Sequence, residues 1–446
     1  MAFPRNFVVL ARLRRAVRQF TWGGLWAISL PVPTKRNLSW FFFDGLFASA
    51  SDNIYFTYLT LFLLTLGASK AQIGLMSSLS SLSAALLLLP GALLVERFGR
   101  RKDVTVLFGG VLARVMILGL AAIPLLPLGP AVLVWVAIGL SVLRDAFGNF
   151  AFPAWMSVTG DIVPLEGRGR YFGSRNFVMG VAGMLVIYIF GESITRVSGP
   201  LGYQIALGAA FVFGILSTYA FSRLKDPRAL PDKSAVEQFS FGAALRDLKC
   251  HPAFVTLGFV MALWNFSLNI SGPFFSVFMV GELKFTASMV GITTITTTIS
   301  SLLFQRRFGR LSDRLGPGRL QLICMFLIPV LPFAWVFVDR LWQVIMLNAF
   351  GGVIWGAFNL VSFNFLLSMM PDALRARYSA IYQILITLAL AAGAALGSWL
   401  VTEWSYRAVF LGSGIGRVVA AMLFARLMPS QPGGSREDPE PVRVRS

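Results

Sequence analysis

One histidine in 446 residues, two cysteines, and 20 acidic residues against 39 basic ones set limits on what this chain can do. His251 stands alone in a polar connection, which excludes a Ser/His/Asp set, a histidine-rich metal centre and a histidine proton relay within an apolar span. Cys250 and Cys324 fall in different surroundings and are expected to be free thiols. No phosphate-cradling glycine loop follows a strand pattern, so ATP is not expected as an energy source. An enzyme is not expected, nor is a cofactor. Charge is also scarce, at 13% of residues.

What fills the chain is apolar. The hydrophobic fraction is 56%, with 40 Phe and 11 Trp, and the mean hydropathy is +0.71. Runs long enough to cross a bilayer as helix, about 20 residues each, recur at 39–65, 71–95, 104–126, 130–158, 175–195, 202–223, 253–280, 284–305, 319–338, 341–369, 377–401 and 407–427. The expected fold is an all-α membrane protein of twelve transmembrane helices. Of the 39 Lys and Arg, 31 fall on one side of this layout, five on the other and three within spans. Cationic loops resist translocation, so the basic side is expected to be cytoplasmic, with both termini there, in a multi-pass protein of the cell membrane. The net charge of +19 is thereby a topology signal, and nucleic acid is not an expected partner. Residues 1–37 are not expected to be a cleavable signal, because arginines are interleaved every few residues along the run from Phe7 to Phe20. Phe7, Leu10, Leu13, Val17 and Phe20 share one helical face and Arg5, Arg12, Arg15 and Arg18 the other, the pattern of a basic amphipathic helix on an anionic leaflet.

The chain repeats itself. The charged turn at Glu96-Arg97-Phe98-Gly99-Arg100-Arg101 returns 217 residues later around Gly309, Asp313, Arg314 and Gly316. The same offset aligns Ile73-Gly74-Leu75-Met76-Ser77 with Val290-Gly291-Ile292-Thr293-Thr294, and Asp52 with Asn269. A second echo pairs Pro164–Tyr171 with Pro371–Tyr378 at an offset of 207. Six-helix bundles over 38–223 and 253–427 are expected, in the same orientation, joined by a cytoplasmic linker at 224–252 and followed by a disordered cytoplasmic tail at 428–446. Two similar halves are the usual architecture of alternating-access carriers.

These motifs resemble the major facilitator superfamily over residues 38–427. The family's usual loop signature is G-x-L-x-D-R-x-G-R-R. The stretch from Gly309 to Gly316 follows it closely, whereas the first copy has Ala92 for glycine and Glu96 for aspartate. Arg144 and Gly148 match part of an R-x-x-x-G-x-G element, with Phe150 in place of the last glycine. The G-P-x-x-G-G element of drug–proton antiporters has no counterpart, since span 5 carries no proline there. The resemblance implies a cytoplasmic gate built from Glu96, Arg97, Gly99, Arg100, Arg101, Gly309, Asp313, Arg314 and Gly316, its arginines pairing with acids of the facing half. It also implies a central cavity lined by spans 1, 4, 7 and 10.

Ionisable groups at membrane depth are costly and mark sites. Asp52, Arg144 and Asp145 are the leading candidates, with Asp52 and Asp145 as proton carriers. Tyr55, Asn149, Trp264, Asn265, Asn269, Trp355 and Asn359 complete the expected cavity. Arg114 and Arg417 fall on spans expected to be peripheral, where packing or snorkelling accounts for them, and Asp44 reads as a helix-start acid. The Ser/Thr faces of spans 2 and 8 and the glycines Gly393 and Gly397 read as close-packing surfaces. The expected function is secondary transport of a small organic solute, by proton-coupled efflux of an amphiphile. Uptake of a polar metabolite and a non-transporting receptor or lipid-handling role are the alternatives. The expected partners are the solute, protons and the bilayer, and the protein is expected to be a monomer.

Overall fold

The computed structural model describes residues 21–197, 199–226, 252–369 and 375–427. They form helices and short connections, with no strand among them. In chain order the helices are α1 (Val32–Thr65), α2 (Lys70–Phe98), α3 (Arg101–Leu125), α4 (Pro130–Ile162), α5 (Arg168–Arg196) and α6 (Leu201–Ser222) in the first half. The second half holds α7 (Pro252–Gly281), α8 (Ala287–Leu315), α9 (Pro317–Leu327, resuming as Val330–Trp335), α10 (Leu341–Ser368), α11 (Arg375–Glu403) and α12 (Tyr406–Leu427). Each corresponds to one expected span, displaced by a few residues. A 3-10 turn, Leu25–Ser29, precedes α1. The amphipathic helix expected over 7–20, the tail at 428–446, the second echo at 371–374 and nearly all of the linker lie outside the described residues, as do Cys250 and His251. Cys324 is a buried free thiol.

The internal repeat recurs in local geometry. Ser69 caps α2 by accepting from the Gln72 amide at 3.2 Å, and Thr286, 217 residues on, caps α8 by accepting from the Met289 amide at 3.3 Å. Such caps satisfy amides that the first helical turn leaves unpaired. Both helices run 29 residues and end on a glycine with positive φ, Gly99 at 65° and Gly316 at 79°. The turn before each cap repeats too. Gly67 has φ 95°, and its counterpart Lys284 has φ 57°, making Lys284 the one non-glycine with positive φ among the described residues. An L-residue enters that region at a steric cost, so the turn geometry is dictated by the fold and glycine is only its cheapest occupant.

Eleven helices are long and apolar enough to cross a bilayer. The exception, α1, spans 34 residues, about 51 Å at 1.5 Å per residue. It is long enough, and it is polar because it is internal: α5 and α6 pack along it, and Asp44, Ser49 and Ser51 are buried. Leu86, Phe177, Leu303 and Trp399 point outward and are exposed, an apolar surface that requires lipid.

The halves meet along α2 with α11 and α5 with α8. Small residues permit the approach. A side chain on Gly74 would meet the Ser398 side chain at 2.5 Å, and Ser398 Oγ donates to the Ala71 carbonyl at 3.1 Å. Ser78 Oγ donates to the Ala391 carbonyl at 2.8 Å. Within the second half, Gly393 and Gly397 press on the backbone of α7 at Phe266 and Ile270. Among the described residues, most of the seam's polar ties gather at one end, opposite Arg100, Lys102 and Arg168. There Ser288 Oγ donates to Glu192 at 2.5 Å, its amide donates to Thr195 at 3.1 Å, and Lys70 meets Glu282 at 3.7 Å. Nearby, Tyr58 donates to the Ile187 carbonyl at 2.5 Å and fills the space that glycine leaves at 191 and 291. The seam is therefore shut at the end away from the basic loops.

Candidate functional site

A cavity of about 1060 Å³ lies between the halves. Its lining comes almost wholly from α1–α6, with Gln383, Thr387 and Leu390 of α11 as the second half's contribution. Three acids and three arginines face or floor it: Asp44 and Asp52 on α1, Arg114 on α3, Arg144 and Asp145 on α4, and Arg175 on α5. Phe56, Phe152, Trp155, Phe172 and Phe221 supply the apolar wall. The container is therefore aromatic and electrically balanced.

The centre of the site is Asp52. Its Oδ1 accepts from Arg114 at 2.7 Å and from Arg144 at 2.6 Å. Arg144 also reaches Asp145 at 3.0 Å, and Arg114 reaches Ser51 Oγ at 3.2 Å. The two arginines are nearly buried, whereas 35% of the Asp52 side chain and 20% of the Asp145 side chain are exposed, so Asp52 is the member of the network most open to the cavity. Arg144 lies on the rings of Tyr55 at 4.4 Å and Phe56 at 4.7 Å, which fix its plane by cation–π attraction. Arg114 is admitted by Gly214 of α6, where a side chain would strike the arginine stem. α3, the helix of Arg114, carries an eight-residue π-helical segment, Thr105–Leu112, which puts Thr105, Val106, Gly109 and Gly110 on the cavity wall just before Arg114. Such widened turns recur at functional sites.

A second cluster sits toward the basic end. Asp44 accepts from Ser217 at 2.7 Å through Oδ1 and meets Arg175 at 3.4 Å through Oδ2. Arg175 donates through Nε to the Phe41 carbonyl at 3.0 Å and lies over the Phe41 ring at 4.1 Å, in space that Gly45 leaves empty.

Of the residues picked from sequence, Asp52, Arg144, Asp145 and Asn149 line the cavity, and Tyr55 is buried beneath Arg144. The second-half residues sit elsewhere. Trp264 is fully buried against Phe358, and Trp355 meets the edge of the same ring. Asn265 donates to its own helix at Met261, and Asn269 donates to the Leu390 carbonyl of α11 at 2.7 Å. Asn359 is exposed on α10. Two readings change. Arg114 is not a peripheral packing residue, because α3 delivers it to Asp52. Asp44 is not a helix-start acid, because α1 begins at Val32 and Asp44 lies three turns inside it. Arg175, placed by sequence among the loop cations, is 4% exposed and part of the site. Asp44 and Asp52, two acids in the apolar run of α1, were the available signal for the two clusters, but nothing in sequence assigns their partners. Arg417 is buried on α12, donating to Ser271 at 3.0 Å, with no carboxylate partner among the described residues.

The gate residues are partly visible. The side chains of Glu96, Arg97, Gly309 and Asp313 lie outside the described residues, while Arg100 and Arg314 are exposed. Arg101 is buried and donates to Ser157 at 2.9 Å, to Asp161 at 2.6 Å and to Asp226. It ties α3 to α4 and to the segment after α6, within its own half, and not across the seam.

A sequence-family profile described as Major Facilitator Superfamily matches residues 41–279 and 257–445. The multi-drug resistance efflux pump PmrA of Streptococcus pneumoniae is 24% identical over 393 residues, covering 85% of this chain and 93% of that protein. The multidrug resistance protein MdtG of Salmonella typhimurium is 23% identical over 390 residues, covering 85% and 92%. Among solved structures, a D-xylose-proton symporter superposes with a TM-score of 0.67 at 16% identity, covering 90% of this chain and 98% of that one. The nucleoside transporter NupG gives 0.64 at 15% identity, covering 87% and 98%. These two likenesses establish the fold.

Proposed function

The chain belongs to the Major Facilitator Superfamily, and from that premise we propose that this secondary transporter exports an amphiphilic organic compound in exchange for protons. One observation carries the reading: a large aromatic cavity whose floor is a balanced network of two acids and two arginines, with Asp52 as its most accessible member. The aromatic wall suits an apolar body. A polar or charged head competes for Asp52 or Asp145 and loosens the arginine clamp. The network offers carboxylates to a cationic head and guanidinium groups to an anionic one, a breadth in keeping with the multidrug names of PmrA and MdtG.

We read the basic end as cytoplasmic, since 31 of 39 cations gather there. The closed seam is then extracellular and the cavity opens inward, the state in which an exporter collects its cargo. Export follows when the seam opens at Glu192 and Ser288 and closes at the basic end. The two arrangements of such a carrier lie within a few kcal/mol of each other, which suits a seam held by small polar contacts.

The test is flux of ethidium, an amphiphilic cation, in proteoliposomes with and without an imposed pH gradient. Wild type is expected to move the dye against its gradient only when the pH gradient is present. Asp52→Asn is expected to lose about tenfold or more in apparent affinity, the factor that corresponds to 1.4 kcal/mol. Gradient-independent movement in wild type defeats the coupling, and unchanged affinity in the variant defeats the site.

A further inference from the structure

We infer that the proton is carried by Asp44, in its cluster with Arg175 and Ser217, and that the Asp52 network meets the cargo; this rests on the proton-coupled reading above. The carboxylates differ in what each leaves behind when it is neutralised. Protonating Asp52 strips Arg114 of its carboxylate and leaves it only Ser51 in a buried position. It also removes one of the two acids that hold Arg144. A buried cation left uncompensated is strongly unfavourable. Asp145 shares Arg144 with Asp52, so neutralising it also unbalances the network.

Asp44 differs. It is 5% exposed, and its carboxylate contact to Arg175 is long, at 3.4 Å, on the oxygen that Ser217 does not use. Arg175 has other anchorage: its Nε–H donates to the Phe41 carbonyl, its plane rests on the Phe41 ring, and its guanidinium fits the notch at Gly45. Protonation of Oδ2 takes from Arg175 its one carboxylate contact among the described residues, and these neutral anchors keep the guanidinium in place. The charged and polar groups facing Asp44 are Arg175 and Tyr171 from α5, Ser217 from α6, Arg114 from α3, and Asp52 from its own helix. Tyr171 donates its hydroxyl to the Leu38 carbonyl and does not compete for the carboxylate.

Position completes the case. Asp44, Arg175 and Ser217 all line the cavity, which gives water a route to the cluster in this state. The proton arriving from that water binds Oδ2, Oδ1 keeps the Ser217 hydrogen bond, and the same proton returns to water when the cluster is next exposed. The cluster joins α1, α5 and α6. Among these, α5 packs across the seam on α8, so the charge of Asp44 acts on one of the helices that tie the two halves. Cargo at Asp52 and proton at Asp44 sit two helical turns apart on α1, and Arg114 lies in the field of both acids. Each charge state is thereby felt at the other site.

The experiment uses full-length protein in proteoliposomes, with ethidium flux read in two modes: pH-gradient-driven accumulation and exchange without a gradient. Asp44→Asn is expected to cut gradient-driven accumulation more than about tenfold while exchange falls far less, since a permanently neutral residue still permits alternation. Ser217→Ala removes a donor to the carboxylate without altering charge. It is expected to move the midpoint of the pH profile upward by about half a unit or more, because the charged form loses a hydrogen bond. This second variant keeps the test open should Asp44→Asn fold poorly. Full gradient response in Asp44→Asn, or an unmoved midpoint in Ser217→Ala, overturns the assignment. Equal loss of both modes in a folded Asp44→Asn also overturns it, since Asp44 would then belong to cargo binding. Wild type that ignores the pH gradient, or does not move the dye, brings down the parent reading instead.

Discussion

At the scale of single residues, this protein is governed by the cost of charge away from water. Asp52, Arg114, Arg144 and Asp145 are affordable together and expensive apart. Arg114→Leu leaves Asp52 with one arginine and is expected to lower stability by up to about 3 kcal/mol, the low end for breaking a buried pair, because Asp52 keeps Arg144 and part of its hydration. Adding Asp52→Asn should recover part of that loss. A double-mutant cycle by thermal unfolding in detergent checks it, with an expected coupling of about 0.5–3 kcal/mol. The acids themselves were legible in sequence, since ionisable residues in apolar runs stand out. Their partners were not. Arg114 and Arg175 looked peripheral or loop-bound because a linear layout cannot say which helix face turns inward.

At the scale of helices, small residues decide where backbones touch. Gly393 and Gly397 put α11 on α7, and Gly352 puts α10 on the Thr297 carbonyl of α8. Gly393→Leu is expected to prevent this contact and yield protein that is misfolded by size-exclusion chromatography. Gly139→Ala, with nothing within 4 Å of the new carbon, should elute as wild type. The polar residues of α10 serve packing as well: Asn348 accepts from Thr297 at 2.9 Å. Helical periodicity puts Asn348, Gly352 and Trp355 on one face of α10. It could not say that the face meets α8, because a small polar stripe suits a neighbouring helix as well as it suits water.

At the scale of the whole molecule, the halves repeat in backbone and diverge in chemistry. Caps, terminating glycines and the strained turn at Gly67 and Lys284 recur at 217 residues, yet the acids of the cavity belong to the first half alone. Asn269 replaces the acid at the position of Asp52 and bonds to α11. An asymmetric cavity in a symmetric frame lets one half hold the ions while the other contributes motion. The closed seam makes a direct prediction. Cysteines at Glu192 and Ser288, in a Cys250→Ser background, should accept a short bifunctional thiol crosslinker, arrest ethidium flux and leave binding of the dye intact. Flux that continues after complete cross-linking would mean that this end of the seam does not open.

The sequence by itself determined the twelve crossings, their sidedness in charge and the duplication, because hydropathy, loop cations and repeated turns are properties of the chain read in order. It also exposed Asp52, Arg144 and Asp145, since an ion in an apolar run is conspicuous wherever the helix packs. Only the tertiary structure decided that Arg114 and Arg175 join them, that Trp264 is buried against Phe358, and that the seam is shut at one end. Those outcomes depend on helix rotation and on the close approach of small residues between distant segments, which is settled when the helices pack against one another.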